Sequence, residues 1–260
     1  MFVLLACTPA ALPPQAPPPT PTPVPGLQSA IDDAAHFLID QHSPPFYLLR
    51  ESPIVAPNRY WLATDNLLAT YALDAAGVPE MAERIRYGLE QYGNVRHGLI
   101  EALIGETVEW PPHVEEQRPV SERVWTESRT QGPQYLDWKE YADFALYGAL
   151  VAHNDGDNTL AATRYREAVA TFDGVGFPDL AYQNRAGGSL YATYKLALAV
   201  FVGSAIGEPP SSAVLSALLS KQEAETGGFI TLYDGAGVPQ GDASTETTSY
   251  ALLALSSLRD

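Results

Sequence analysis

From Leu27 onward the apolar positions fall into helical rhythm. Across residues 28–42, Ile31, Ala35, Phe37 and Leu38 share one side, which predicts a helix. Two more are predicted over 61–76, closed by Gly77, and over 79–92, opened by Pro79 and closed by Gly93. The same period returns at 138–153, 157–172, 188–206, 211–223 and 244–258, with Gly and Pro clusters between segments. Residues 43–59 hold several prolines and read as loop. Between 94 and 128 the rhythm changes. Val95 to Ile104 and Ser121 to Ser128 alternate and carry β-branched and aromatic residues, which predicts an inserted β-hairpin or flap.

The predicted helices are of two kinds. Segments starting at Tyr60-Trp61, Asp137-Trp138, Tyr191 and Thr245 open polar and aromatic, then turn small and apolar on nearly every side. A helix apolar all round is buried all round. The segments between them, such as 79–92 and 157–172, carry Glu and Arg on one face and read as outer helices. Alternating buried and amphipathic helices predict a mainly α fold. The expected form is an α/α toroid, an incomplete barrel of about four helical hairpins with a small β-hairpin insertion.

Short motifs carry a resemblance. Thr226-Gly227-Gly228-Phe229-Ile230, followed by Thr245-Glu246-Thr247-Thr248-Ser249-Tyr250-Ala251-Leu252, resembles the repeats of terpene-cyclase and prenyltransferase toroids. Tyr60-Trp61-Leu62-Ala63-Thr64-Asp65-Asn66 resembles the inner-helix starts of six-hairpin glycosidase-like toroids. As architecture the resemblance spans residues 28–260. It implies a central cavity lined by the first turns of the inner helices.

The N-terminal part has no such rhythm. Leu4-Leu5-Ala6-Cys7 resembles the lipobox at which bacterial lipoproteins are acylated and cleaved, which makes Cys7 the expected lipidation site. No Lys or Arg precedes Cys7, and the apolar run before it is short, so a start upstream of Met1 is expected. Nine prolines from Pro9 to Pro25 follow among Ala, Thr and Gln, with no charge before Asp32. That composition favours an extended tether at ~3.1 Å per residue. The expected division is a signal and lipobox at 1–7, a tether at 8–26 and the helical domain at 27–260. The implied partner is a membrane, reached through lipid, on the extracytoplasmic side of the cell.

Charge and composition then remove several functions. Lys and Arg number 15 against 31 Asp and Glu, a net charge of −16, and nucleic-acid binding needs the opposite surface. Cys7 is the single cysteine, so an intrachain disulfide and cysteine catalysis in the domain are excluded. The five histidines show no zinc-binding spacing, no phosphate-cradling Gly loop is present, and no cofactor or metal is expected.

Within the expected cavity, aromatic rings suit the apolar face of a sugar and carboxylates its hydroxyls. The candidate catalytic residues are Asp65 and Asp143, with Glu246 in reserve, because glycoside hydrolysis uses two carboxyl groups. The candidate substrate-binding residues are Tyr60, Trp61, Trp138, Tyr141, Tyr182, Tyr191 and Lys195. Structural readings stand beside these. Asp137 and Ser244 suit helix N-caps, Glu246 suits the positive end of a helix dipole, and Trp61 and Trp138 suit a core. A buried Asp65 would need a partner, with Asn58, Arg59 and Lys195 as candidates. The expected function is a lipid-anchored protein that binds or processes carbohydrate, as a glycoside hydrolase or polysaccharide lyase. The alternative is a non-catalytic envelope protein that binds or scaffolds.

Overall fold

A computed structural model describes residues 26–178, 180–181 and 190–259. Cys7, the tether through residue 25, and Tyr182 lie outside the described residues.

Eight α-helices are present among them: α1 Leu27–Asp40, α2 Leu68–Ala76, α3 Pro79–Glu90, α4 Ala142–Asn154, α5 Asn158–Val169, α6 Thr193–Ala205, α7 Ser212–Leu219 and α8 Thr245–Ser256. The fold is mainly α, and each helix falls on a segment expected from the periodicity, with α1 starting one residue before its segment and α4 ending one residue after. Strands are short: β1 His42–Ser43, β2 Leu48–Leu49, β3 Tyr60–Trp61, β4 Glu116–Pro119, β5 Val124–Ser128, β6 Leu190–Ala192 and β7 Leu232–Asp234. None of the described helices is long and apolar enough to cross a membrane.

The two kinds of helix segregate as the apolar patterns require. In α8 every residue except Glu246 is buried. Helices α4 and α6 are nearly as enclosed, whereas α5 buries only Ala161, Tyr165 and Ala168. The enclosed helices lie side by side in the order α2, α8, α6, α4, with α3 against α2, α5 against α4, α7 against α6 and α1 against α8. The first and last helices thus meet. Gly227 and Gly228 allow the approach. A Cβ at Gly227 would stand 2.5 Å from the Asp33 carbonyl oxygen, and one at Gly228 would stand 2.6 Å from the Phe37 ring.

Three expectations need correction. The helix expected over 61–76 begins as strand β3 and then widens into a π-helical turn, Leu62–Leu67, before α2. Val95 to Ile104 is not a strand. The Glu101 carboxylate accepts hydrogen bonds from the His97 and Gly98 backbone N–H groups at 2.8 and 2.7 Å, and this bends the chain into a 3-10 turn at Ile100–Ile104. The expected hairpin is confined to β4 and β5. Asp137 does not cap with its side chain, whereas Ser244 does, accepting from the Thr247 N–H at 3.2 Å.

The β insertion is joined to the helical part through β5. That strand pairs antiparallel with β4 and parallel with β3, placing Tyr60 beside Val124 and Trp61 beside Trp125. Strand alternation puts Val124 and Glu127 on opposite faces of β5, and both are buried.

Candidate functional site

The π-helical turn is where the site begins. An extra residue in a helical turn redirects side chains and often marks a functional position. Asn66 fixes this turn. Its Oδ1 accepts from the Leu49 N–H at 2.7 Å, and its Nδ2 donates to the Leu49 and Trp61 carbonyls at 3.1 and 2.7 Å. With Asn66 facing β2, Asp65 is aimed the other way, into a cavity of about 440 Å³. Asp65 is 1% exposed and its Oδ2 has no hydrogen-bond partner among the described residues.

Other elements bring more carboxyls to the same cavity. Glu246 arrives from the first turn of α8, Glu127 from β5, Glu115 from the loop before β4, and Glu51 and Asp242 from loops. Thr245 sets the position of Glu246. Its hydroxyl donates to the Arg50 carbonyl at 2.6 Å and its N–H donates to the Glu51 carbonyl at 2.8 Å. Glu127 Oε1 accepts from both the N–H and the hydroxyl of Thr64, at 2.5 and 2.6 Å, while its Oε2 is buried without a partner. None of the described residues lining this cavity is Lys, Arg or His.

A second cavity of about 230 Å³ abuts the first at Thr64, Glu115 and Glu246. Its walls include His97, Arg129, Asp143, Tyr147, Tyr194 and Tyr250. Asp143 accepts from the Tyr194 hydroxyl at 2.7 Å and lies 3.6 Å from the Lys195 ammonium, which is 1% exposed. The Tyr147 and Tyr250 hydroxyls meet at 2.7 Å. Arg129 pairs with Glu115 Oε2 at 3.0 Å, and Nε2 of the buried His97 stands 3.7 Å from the same oxygen.

These surroundings push the carboxyls in opposite directions. Burial would lift Glu115, but His97, Arg129 and Gln117 outweigh it and hold the group at about 2. Glu246 is raised to about 8, mainly by burial and then by the charges of Glu115, Glu127, Glu51 and Asp143. Burial raises Asp65 well above the carboxylate range, reinforced by Glu246, Glu51 and Glu127, against a backbone hydrogen bond at Trp61. Glu127 is also raised by burial, against the opposing bonds from Thr64.

At one rim, Trp61 and Trp125 stand 5.7 Å apart as a tilted pair, both half-buried. Trp61 Nε1 donates to Glu51 Oε2 at 3.0 Å, and the exposed Arg59 guanidinium lies 5.9 Å from the Trp61 ring and 6.0 Å from Trp125. This is the β3–β5 register read out in side chains.

Of the residues expected at the site, Trp61, Asp65 and Glu246 line the larger cavity and Asp143 the smaller, with Lys195 behind it. Four others sit elsewhere. Tyr60 packs on Phe46 at 4.5 Å. Trp138 is buried edge-on against Trp110 at 5.0 Å. Tyr141 packs on Tyr135 and Phe144. Tyr191 stacks on Tyr233 and donates to Asp173 at 2.7 Å. In strand or coil before its helix, each of these rings turns toward core rather than cavity. Neither Arg59 nor Lys195 pairs with Asp65; they go to Glu51 and Asp143. Sequence reasoning missed Glu51, His97, Glu115, Glu127 and Arg129. Only the strand alternation of 121–128 offered a signal, for Glu127.

Among the described residues no group of three or more His, Cys, Asp or Glu is arranged to hold a metal ion. No family model matches the chain, and comparison with curated proteins and with solved structures gave no match.

Proposed function

We propose that the paired cavities bind and hydrolyse carbohydrate within an incomplete α/α toroid of about four hairpins. The observation that carries this reading is the Glu115–Glu246 pair: two carboxyls on one cleft whose surroundings drive their proton affinities apart, to about 2 and about 8. Such divergence separates an acid from a base at neutral pH. Glu246 holds a proton and delivers it to the departing glycosidic oxygen. Glu115 stays ionised and takes a proton from the attacking water as the new C–O bond forms. The Trp61–Trp125 rim supports the sugar reading by offering ring faces beside the acids. The carboxylate lining repels anionic chains, which favours hydrolysis of neutral or amino sugars over polyuronate cleavage.

The test is a hydrolysis screen on neutral and amino polysaccharides with the wild type, Glu246→Gln and Glu115→Gln. Each variant is expected to lose on the order of 10²–10⁴ in rate while still binding the sugar. Wild-type turnover by Glu246→Gln overturns the assignment; sugar binding with no turnover by any form leaves a binding protein.

The same reading places the domain on the extracytoplasmic face of a membrane through lipid on Cys7. Metabolic labelling with an alkyne fatty acid is expected to mark the wild type and not Cys7→Ser. Equal labelling, or none in either, removes the anchor.

A further inference from the structure

The larger cavity has six acidic side chains on its walls, Glu51, Asp65, Glu115, Glu127, Asp242 and Glu246, and no cationic side chain among the described residues that line it. Three of the six are already engaged. Glu51 accepts from Trp61, Asp242 accepts from the Ile54 and Val55 N–H groups, and Glu115 pairs with Arg129. Asp65 and Glu127 are different. Each is at least nine-tenths buried, at 1% and 2% exposure, and each keeps one carboxyl oxygen, Oδ2 and Oε2, without a partner. Leaving such an oxygen unmatched costs about 1–3 kcal/mol, more when it is charged. Glu246 reaches in beside them from the otherwise buried α8 and keeps its proton as the acid of the reaction proposed above.

At about 440 Å³ the cavity is the size of a small-molecule site rather than an ion site. The group that suits these walls is an organic one that brings positive charge and several donors. A protonated amine has three N–H donors and no acceptor, which fits the unmatched oxygens of two carboxyls on separate elements. Trp61, on the same wall, adds a ring for a sugar face or for the cation itself.

We infer that this cavity recognises the ammonium group of an amino sugar, held by Asp65 and Glu127. This rests on the carbohydrate reading above and narrows it from neutral or amino sugars to those whose amine is free rather than acylated. The arriving ammonium displaces the proton that burial keeps on Asp65. Asp65 is raised by burial and then by Glu246, Glu51 and Glu127, with Arg129 and Lys195 standing behind Glu115 and Asp143. Binding therefore releases protons to solvent.

The test is calorimetric titration of the full chain at about pH 6, where a sugar amine is charged. The probes are the glucosamine tetramer, the N-acetylglucosamine tetramer and spermidine. The glucosamine tetramer is expected to bind at least about tenfold more tightly than either other probe, a difference of about 1.4 kcal/mol. Repeating the titration in buffers of different ionisation enthalpy is expected to show proton release. Asp65→Asn and Glu127→Gln should each weaken binding about tenfold, and Glu225→Gln, on the exposed surface outside the cleft, should not. Preference for the acetylated tetramer overturns the ammonium assignment and leaves the sugar reading standing. Spermidine binding as tightly as the glucosamine tetramer overturns the sugar reading instead. No binding of any probe overturns both, and the wild-type comparison holds even where a variant fails to fold.

Discussion

At the residue scale, Glu246 is the position where folding stability and the proposed chemistry conflict. It is the one half-buried side chain of an otherwise buried α8, and it faces a cavity crowded with like charge. In the folded chain it keeps its proton to about pH 8, while in the unfolded chain it loses it near the ordinary 4.5. Between those values the folded state binds more protons, so stability falls as pH rises through that window. Glutamine removes the penalty. Glu246→Gln is expected to match the wild type near about pH 4. Near about pH 9 it should be more stable, on the order of 2–4 kcal/mol after allowing for the part of the carboxyl open to the cleft. Thermal melts at the two pH values check this; a variant less stable at the higher value would contradict it. Glu246 and Asp65 were legible in the sequence because each stood at the polar start of an otherwise apolar helix. Glu115 was not, because nothing local distinguishes a carboxylate in a loop until Arg129 and His97 fold around it.

At the scale of elements, the π-helical turn decides where Asp65 points. Helical periodicity located the segment but not the extra residue, since the phase shift it makes does not show in a helix that is apolar on nearly every side. The cause is long-range: the three Asn66 hydrogen bonds tie the turn to Leu49 in β2, 17 positions earlier, and to Trp61. Asn66→Ala leaves the buried Leu49 backbone groups unmatched. It is expected to cost roughly 2–4 kcal/mol in urea denaturation and to weaken sugar binding as Asp65 swings away. An unchanged urea midpoint would show that the turn is held by something else. The aromatic candidates illustrate the opposite error. Tyr60, Tyr191 and Trp138 stand just where an inner helix was expected to begin. The chain there is strand or 3-10 turn, so their rings leave the cavity for the core.

At the scale of the molecule, the order of helices was legible because burial is written into every turn of α4, α6 and α8. The joining of the β insertion to β3 was not. Parallel pairing between segments some sixty residues apart leaves no local trace, yet it brings Glu115, Glu127, Trp125 and Arg129 to the helical cleft. The insertion is therefore half of the site rather than an appendage. The excess of acidic residues, which along the sequence spoke only against nucleic acid, takes a local meaning here. Part of it is gathered into one cavity whose described walls carry no basic side chain.

The central claim is that two carboxyls on one cleft differ in proton affinity, and carbon-detected NMR of ¹³C-labelled glutamate carboxyls tests it most directly. One resonance, lost in Glu246→Gln, should titrate near pH 8. A second, lost in Glu115→Gln, should still be that of an ionised group at about pH 4. If both instead titrate together in the ordinary carboxyl range, the cleft does not separate an acid from a base, and the hydrolytic reading falls with it.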